Sequence, residues 1–197
     1  MRAKHASPQR AHGVSNRVRI IGGQYRRRLL DFPGSAGLRP TPDRVRETLF
    51  NWLGQDLSGW RCIDAFAGTG ALGFEAASRG AKEVTLVEQD SALVAQLKRV
   101  QTQLQASATQ IVRGDGIAAL KQLDPASMDV VFVDPPFDSV LFEAAVQAAG
   151  RAVAKDGFVY LEAPTLWTDA QLESAGLKLH RHLKAGAVHA HLLTRAG

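Results

Sequence analysis

From Arg61 to Gly176 the chain alternates short apolar runs of strand length with segments of helical periodicity. This alternation limits the fold more than any other feature, because consecutive parallel strands need a crossover and a helix supplies it. The strand-like runs are residues 62–64, 83–88, 110–112, 129–133 and 157–161. Helical segments are expected over 71–78, around Leu93, Leu97, Val100 and Leu104, then over 116–123, 139–149 and 168–174. A sheet built this way is covered on both faces. The habit changes after Gly176. Residues 177–183 and 188–194 are two strand-like runs joined by Lys184-Ala185-Gly186-Ala187 with no helix between them, which predicts an antiparallel hairpin. The expected fold class is α/β: a mostly parallel seven-stranded sheet ending in a C-terminal antiparallel hairpin.

A smaller unit precedes this pattern. Val18-Arg19-Ile20-Ile21, the glycine pair Gly22-Gly23, and the run to Leu30 read as a short strand, a turn and a second strand. Pro33, Gly34 and Gly37 mark a loop. Thr41-Pro42 reads as a helix start, with Thr41 as N-cap and Pro42 in the first turn. Val45, Leu49, Trp52 and Leu53 then fall on one helical face, and Gly54 ends the helix. The chain divides into a basic arm (1–17), a hairpin and helix (18–54) and the main α/β domain (55–197). Residues 1–15 are polar and basic and are expected to be unstructured.

Charge is unevenly distributed. The chain carries a net +5, yet residues 1–30 alone hold Arg2, Lys4, Arg10, Arg17, Arg19, Arg26, Arg27 and Arg28 with no acid, and the remainder is −3. A basic segment on a mildly acidic body suits an anionic partner at one end. Arginines interleaved with Tyr25 suit phosphate and base contacts, against a plainly solvated face as the alternative. No apolar run approaches the ~20 residues of a membrane helix, and no secretory stretch opens the chain. With Cys62 as the single cysteine no internal disulfide forms, and a reducing cytoplasm is the expected compartment.

Two motifs carry chemistry. Asp64-Ala65-Phe66-Ala67-Gly68-Thr69-Gly70 lies between the first strand and the first helix of the alternating pattern, at the sheet edge where open α/β folds bind ligands. Glycines there allow close backbone approach, and the helix start offers free N–H groups. The spacing Gly68-x-Gly70-x-x-Gly73 followed by Glu88 also fits a dinucleotide site. Asp64 counts against that alternative: it would repel a pyrophosphate but suits the ammonium of S-adenosylmethionine. Glu88 ends the second strand, where a carboxylate can accept from both ribose hydroxyls. Asp115 follows the third strand, as an adenine contact or as an ordinary turn residue.

The second motif is Asp134-Pro135-Pro136-Phe137, directly after the apolar run Val130-Val131-Phe132-Val133. Two prolines stiffen the chain and leave the Pro135 carbonyl free beside the Asp134 carboxylate. An exocyclic base amine presents two N–H donors, and its lone pair is delocalised into the ring. Two fixed acceptors can draw such a nitrogen toward tetrahedral geometry and free the lone pair for attack. Phe137 can stack on the base.

These residues resemble class I methyltransferases that act on amino nitrogens. Arg19-Ile20-Ile21-Gly22-Gly23, Gly37-Leu38-Arg39-Pro40-Thr41 and Arg44-Val45-Arg46-Glu47-Thr48-Leu49-Phe50-Asn51-Trp52 narrow the likeness to the bacterial RsmD family, from about Val18 to the final hairpin. The resemblance implies methylation of guanine N2 in 16S rRNA, at guanine 966, in an assembling or assembled 30S subunit. It implies a Rossmann-like methyltransferase fold, with S-adenosylmethionine as methyl donor and S-adenosylhomocysteine as product; no metal is required, no membrane is expected, and a monomer is the default expectation. The cofactor set is then Asp64, Phe66, Gly68, Gly70, Glu88, Asp115 and Thr41. Asp134, Pro135, Pro136 and Phe137 handle the base. Arg19, Tyr25, Arg26, Arg27, Arg28, Arg39 and Arg44 grip RNA. Rival readings are a DNA adenine-N6 methyltransferase, a nicotinamide oxidoreductase and a non-catalytic RNA-binding assembly factor.

His180, His182, His189 and His191 alternate along the final hairpin. No cysteine or acid completes a ligand set there, so they read as a strand face and no metal is expected. Cys62, Trp52 and Trp60 read as packing residues.

Overall fold

The computed structural model describes residues 17–33, 40–137 and 140–197. The basic arm up to residue 15, the loop glycines Gly34 and Gly37, and Arg39 lie outside the described residues. The elements run β1 (Arg17–Arg19), β2 (Leu29–Asp31), α1 (Asp43–Leu53), β3 (Arg61–Asp64), α2 (Ala71–Ser78), β4 (Glu83–Glu88), α3 (Ser91–Leu104), β5 (Thr109–Arg113), α4 (Gly116–Gln122), β6 (Met128–Val133), α5 (Phe142–Ala152), β7 (Val153–Ala163), α6 (Asp169–Leu172) with a 3-10 turn over Glu173–Ala175, β8 (Leu177–Ala185) and β9 (Val188–Arg195).

The main sheet has seven strands in the order β5-β4-β3-β6-β7-β9-β8. Strands β3 to β7 are parallel, and β9 runs antiparallel to both β7 and β8. The expected mostly parallel sheet with a terminal antiparallel hairpin is what the chain forms. The chain leaves β3 first to one side, through β4 and β5, and then crosses to β6 on the other. Such a reversal opens a crevice beyond the carboxyl ends of β3 and β6, where the two motifs stand.

Alternating side chains divide the core between the sheet faces. Phe132 and Tyr160 join the α1, α2 and α3 residues Phe50, Phe74 and Leu97. Val131, Val133, Val159 and Leu161 join Ile117, Leu120, Ala145, Ala149 and Leu172 of α4, α5 and α6. Phe132 sits between Phe50 and Tyr160, with ring centroids 6.2 and 6.3 Å away. Cys62 is packed among these residues, and burial pushes its thiol up to about 12, which makes it inert. Trp60 stacks on Phe158, as a packing residue should.

The N-terminal hairpin is stitched to α2 rather than hanging free. The N–H groups of Ile21 and Gly22 each donate to the Glu75 carboxylate at 2.8 Å. Those of Gln24 and Tyr25 donate to the Ser78 carbonyl (2.7 Å) and hydroxyl (2.9 Å). Gly23 makes this approach possible. Its φ is +72°, and a Cβ there would lie 1.8 Å from the Ser78 carbonyl oxygen.

Two local expectations shift. Helix α1 starts at Asp43, with Pro42 rather than Thr41 in the N-cap position. The Thr41 hydroxyl donates instead to Glu162 at 2.6 Å, because a buried carboxylate has the stronger claim on a donor. Helix α5 and strand β7 meet at Ala152 and Val153, so the helix lies later and the strand starts earlier than the sequence suggests. The apolar spacing Ala145, Val146, Ala149, Ala152 extends the helix to that junction.

Candidate active site

Asp64 is the last residue of β3. The loop after it is tied to both neighbours: Ala65 N–H donates to Phe132 O (3.1 Å) and Ala67 N–H to Val87 O (2.9 Å). Gly70, at φ +79°, turns the chain into α2 as its N-cap. The loop therefore rests on the tops of β4 and β6. Asp64 is 1% exposed, and its Oδ2 accepts from the Gly73 N–H at 3.0 Å. Burial, with Glu88 and Glu162 adding repulsion, raises its carboxyl to about 7.

Glu88, at the end of β4, faces the same loop. Its Oε2 accepts from Gly68 N–H (2.9 Å) and its Oε1 from Asp90 N–H (2.8 Å). Asp115 is exposed and caps α4, its Oδ1 accepting from Ala118 N–H at 2.7 Å. Phe66 is half-buried against the second core cluster. Asp64, Phe66, Gly68, Gly70 and Glu88 are thus brought together on one loop and its supports. Asp115 stands at the top of the next strand outward.

Asp134 follows β6. Val133 pairs with Leu161 in the parallel register, so Asp134 emerges beside Glu162 of β7. Asp134 is half-buried, Pro135 is buried, Pro136 is exposed, and Phe137 is 37% exposed. No hydrogen-bond donor among the described residues reaches the Pro135 carbonyl. Burial, with Glu162 and Asp64 beside it, holds the Asp134 carboxyl well above the usual carboxylate range. The carboxyl end of β6 thus carries the Asp134 carboxyl and the Pro135 carbonyl, followed two residues on by the exposed Phe137.

Sequence comparison and structural comparison agree on the family. A family model described as "Conserved hypothetical protein 95" matches residues 18–194. The ribosomal RNA small subunit methyltransferase D of Escherichia coli is 40% identical over 190 residues, covering 93% of each chain. The protein of the same name from Haemophilus influenzae is 40% identical over 177 residues, 83% of this chain and 92% of that one. The solved structure "Putative methyltransferase yhhF from Escherichia coli" superposes with a TM-score of 0.76 at 40% identity, over 91% of this chain and 98% of that one. The chain belongs to the RsmD family of methyltransferases.

In this RsmD-family chain the basic residues divide. Arg26, Arg27, Arg28 and Arg44 are exposed. Arg19 is exposed too, but its guanidinium pairs with Asp43 at 3.0 Å. Tyr25 departs from expectation. It is 9% exposed and part of the core, because its backbone is bound to Ser78 and the ring turns inward.

Sequence reasoning missed the buried charges. Arg46 is fully buried, donating to the Thr41 carbonyl, the Arg19 carbonyl, Asp43 and Glu75. Glu75 also pairs with Arg79 at 2.9 Å. Glu162 is 3% exposed and accepts from the Thr41 hydroxyl and from Tyr160 Oη at 2.9 Å. A signal was present: Glu75 is the one charged residue of Ala71–Ser78, and Glu162 follows directly on the apolar run Phe158-Val159-Tyr160-Leu161.

The hairpin histidines lie closer together than their alternation suggests. His182, His189 and His191 bring one ligand atom each within 4.8 Å of one another, so three histidines alone form a possible set. His191, however, has both ring nitrogens engaged, accepting from Trp167 N–H (3.0 Å) and meeting the Leu161 carbonyl (3.1 Å). His182 and His189 share a contact of 3.0 Å between ring nitrogens. His180 lies apart from them against Phe158. The trio in this RsmD-family member is a hydrogen-bonded seam between β8 and β9, with burial lowering His191 to about 4.

Proposed function

We propose that the protein transfers a methyl group from S-adenosylmethionine to N2 of a guanine in 16S rRNA, at position 966, acting as a cytoplasmic monomer on the small subunit. One observation carries the chemistry: a half-buried Asp134 and a Pro135 carbonyl with no donor among the described residues, in a chain stiffened by prolines and followed by the exposed Phe137, lie at the switch point of the sheet. The RNA target rests on the named activity of the Escherichia coli relative. The guanine and its position rest on the motifs shared with the family.

The residues fit the cofactor. Asp64 is a buried carboxyl with no cation paired to it among the described residues, which suits a positively charged group. Glu88, at the end of β4, offers a carboxylate for the ribose hydroxyls, and Asp115, after β5, offers one for the adenine amine. The cofactor supplies an electrophilic methyl on positively charged sulfur and leaves as S-adenosylhomocysteine. Asp134 and the Pro135 carbonyl accept the two N–H groups of the guanine amine, and Phe137 stacks on the ring. The nitrogen gains the methyl and gives up one proton to the Asp134 carboxylate. Arg26, Arg27, Arg28 and Arg44, with Arg39, contact phosphates, so binding weakens with salt.

Mass mapping of modified nucleotides in 16S rRNA from cells lacking the protein tests this directly. Loss of one N2-methylguanine at that position, restored by the purified protein and labelled methyl donor, is expected. Label appearing in stripped DNA but not in ribosomal particles would overturn the target.

A further inference from the structure

Glu162 is a buried titratable group for which the chemistry above has no use. It lies one residue before the end of β7, after the apolar run Phe158-Val159-Tyr160-Leu161, and it is 3% exposed. Both of its named partners, the Thr41 and Tyr160 hydroxyls, donate to the same oxygen, Oε1. Tyr160 is in turn fixed by its ring against Phe132. Thr41 belongs to the segment that leads from the N-terminal hairpin into α1. The carboxylate is therefore held from two sides, one in the sheet and one outside it. The β6–β7 register brings it next to Asp134.

We infer that Glu162 is a positioning residue for proton removal, a fixed carboxylate beside Asp134 that makes Asp134 a stronger acceptor for the amine proton. This rests on the amine-methylation reading of the site. A proton must leave the nitrogen in that reaction, and an isolated aspartate is a weak base. A second anion alongside makes protonation of Asp134 more favourable. The two hydroxyl donors, with Arg46 nearby, let Glu162 ionise before Asp134, which receives no hydrogen bond among the described residues. The charged and titratable groups around Asp134 are Glu162 and Tyr160 on β7, Asp64 on β3 with Glu88 behind it on β4, and Arg46 on α1. Of these, Glu162 acts on Asp134 most strongly.

The test is the pH profile of kcat with ribosomal particles and labelled donor. Wild type loses activity on its acid limb as Asp134 takes up a proton. Glu162→Gln keeps the side-chain shape and the Oε1 acceptor but removes the charge. Its acid limb is expected to move to lower pH and its plateau to fall about 3- to 10-fold, with cofactor affinity and RNA KM within about twofold. Glu162→Asp, which keeps the charge, returns the limb toward wild type. Asp134→Asn shows residual activity with no acid limb. An unchanged limb in Glu162→Gln, or a limb that persists in Asp134→Asn, overturns the proposal. So does a loss confined to cofactor affinity. Should Glu162→Gln fail to fold, Thr41→Val serves: it withdraws the shorter bond, lets Glu162 take a proton more readily, and moves the limb the same way by less. A wild-type protein that leaves guanine N2 unmodified fails the underlying reading instead, and the two failures are told apart by product analysis.

Discussion

Glu75 and the trio Asp64, Asp134 and Glu162 are all carboxylates set in the protein interior, and they are held in opposite ways. Glu75 is fully buried and fully answered: two guanidiniums, from Arg46 and Arg79, and two backbone N–H groups, from Ile21 and Gly22, converge on it. The trio receives hydroxyl and amide donors, but among the described residues none of its members forms an ion pair. All three carboxyls are raised from their ordinary range by burial. The first arrangement is a fastening. It joins α1, α2 and the N-terminal hairpin, which carries the exposed arginines, into one body. The second keeps carboxyls without a paired cation at a sheet edge, where burial favours their protonated forms, which a folded chain tolerates where it meets a cationic ligand or moves protons.

The largest expected effect separates the two within one assay. Asp134→Ala removes an acceptor that acts on the reacting nitrogen, so turnover should fall by about 10³-fold or more. Cofactor affinity, measured by calorimetric titration, should change by no more than a few-fold, because Asp64 and Glu88 are untouched. Turnover equal to wild type would end the claim that the unpaired set is catalytic.

Next in size is a contrast in stability. Glu75→Ala leaves Arg46 and Arg79 buried without their shared partner. Breaking a buried pair from one side costs about 3–5 kcal/mol, read from urea unfolding. Glu162→Gln takes a charge out of a site where, among the described residues, no ion pair holds it and only the nearby Arg46 favours it, so it should cost less than about 1 kcal/mol or stabilise. Equal losses from the two substitutions would mean that the sets are not different in kind.

What the sequence made legible follows the same division. The alternation from Arg61, the turn at Gly68 and Gly70, the strand-end acid Glu88 and the run Asp134-Pro135-Pro136-Phe137 are local patterns, and local patterns survive without knowledge of partners. Arg46, Glu75 and Glu162 were not legible as buried, because a charged side chain on a helix or strand reads as solvent-facing. Their burial is decided by partners far along the chain: Arg46 meets Glu75 29 residues away, and Thr41 meets Glu162 121 residues away. Tyr25 and Thr41 went astray for that reason too. Each obeys a sound local rule until a distant group, Ser78 or Glu162, claims its backbone or hydroxyl.

The smallest expected effect is a pH dependence confined to the unpaired set. Asp64 carries its proton up to about pH 7 in the free protein, whereas an exposed aspartate has lost it by the usual carboxylate range. The folded state therefore holds a proton that the unfolded chain has released, and this group's contribution to stability declines as pH rises toward 7. A bound cation reverses the balance. It favours the carboxylate, lowers the pKa of Asp64 in the complex, and expels the proton on binding. S-adenosylmethionine should thus bind more tightly as pH rises from 6 to 7, by up to about tenfold. Calorimetry in two buffers of different ionisation enthalpy should show net proton release. Asp64→Asn should flatten the dependence and weaken binding at pH 7, while leaving the Arg46–Glu75 fastening as it is. A pH-independent affinity in wild type would mean that the cofactor's positive charge is answered by some group other than Asp64.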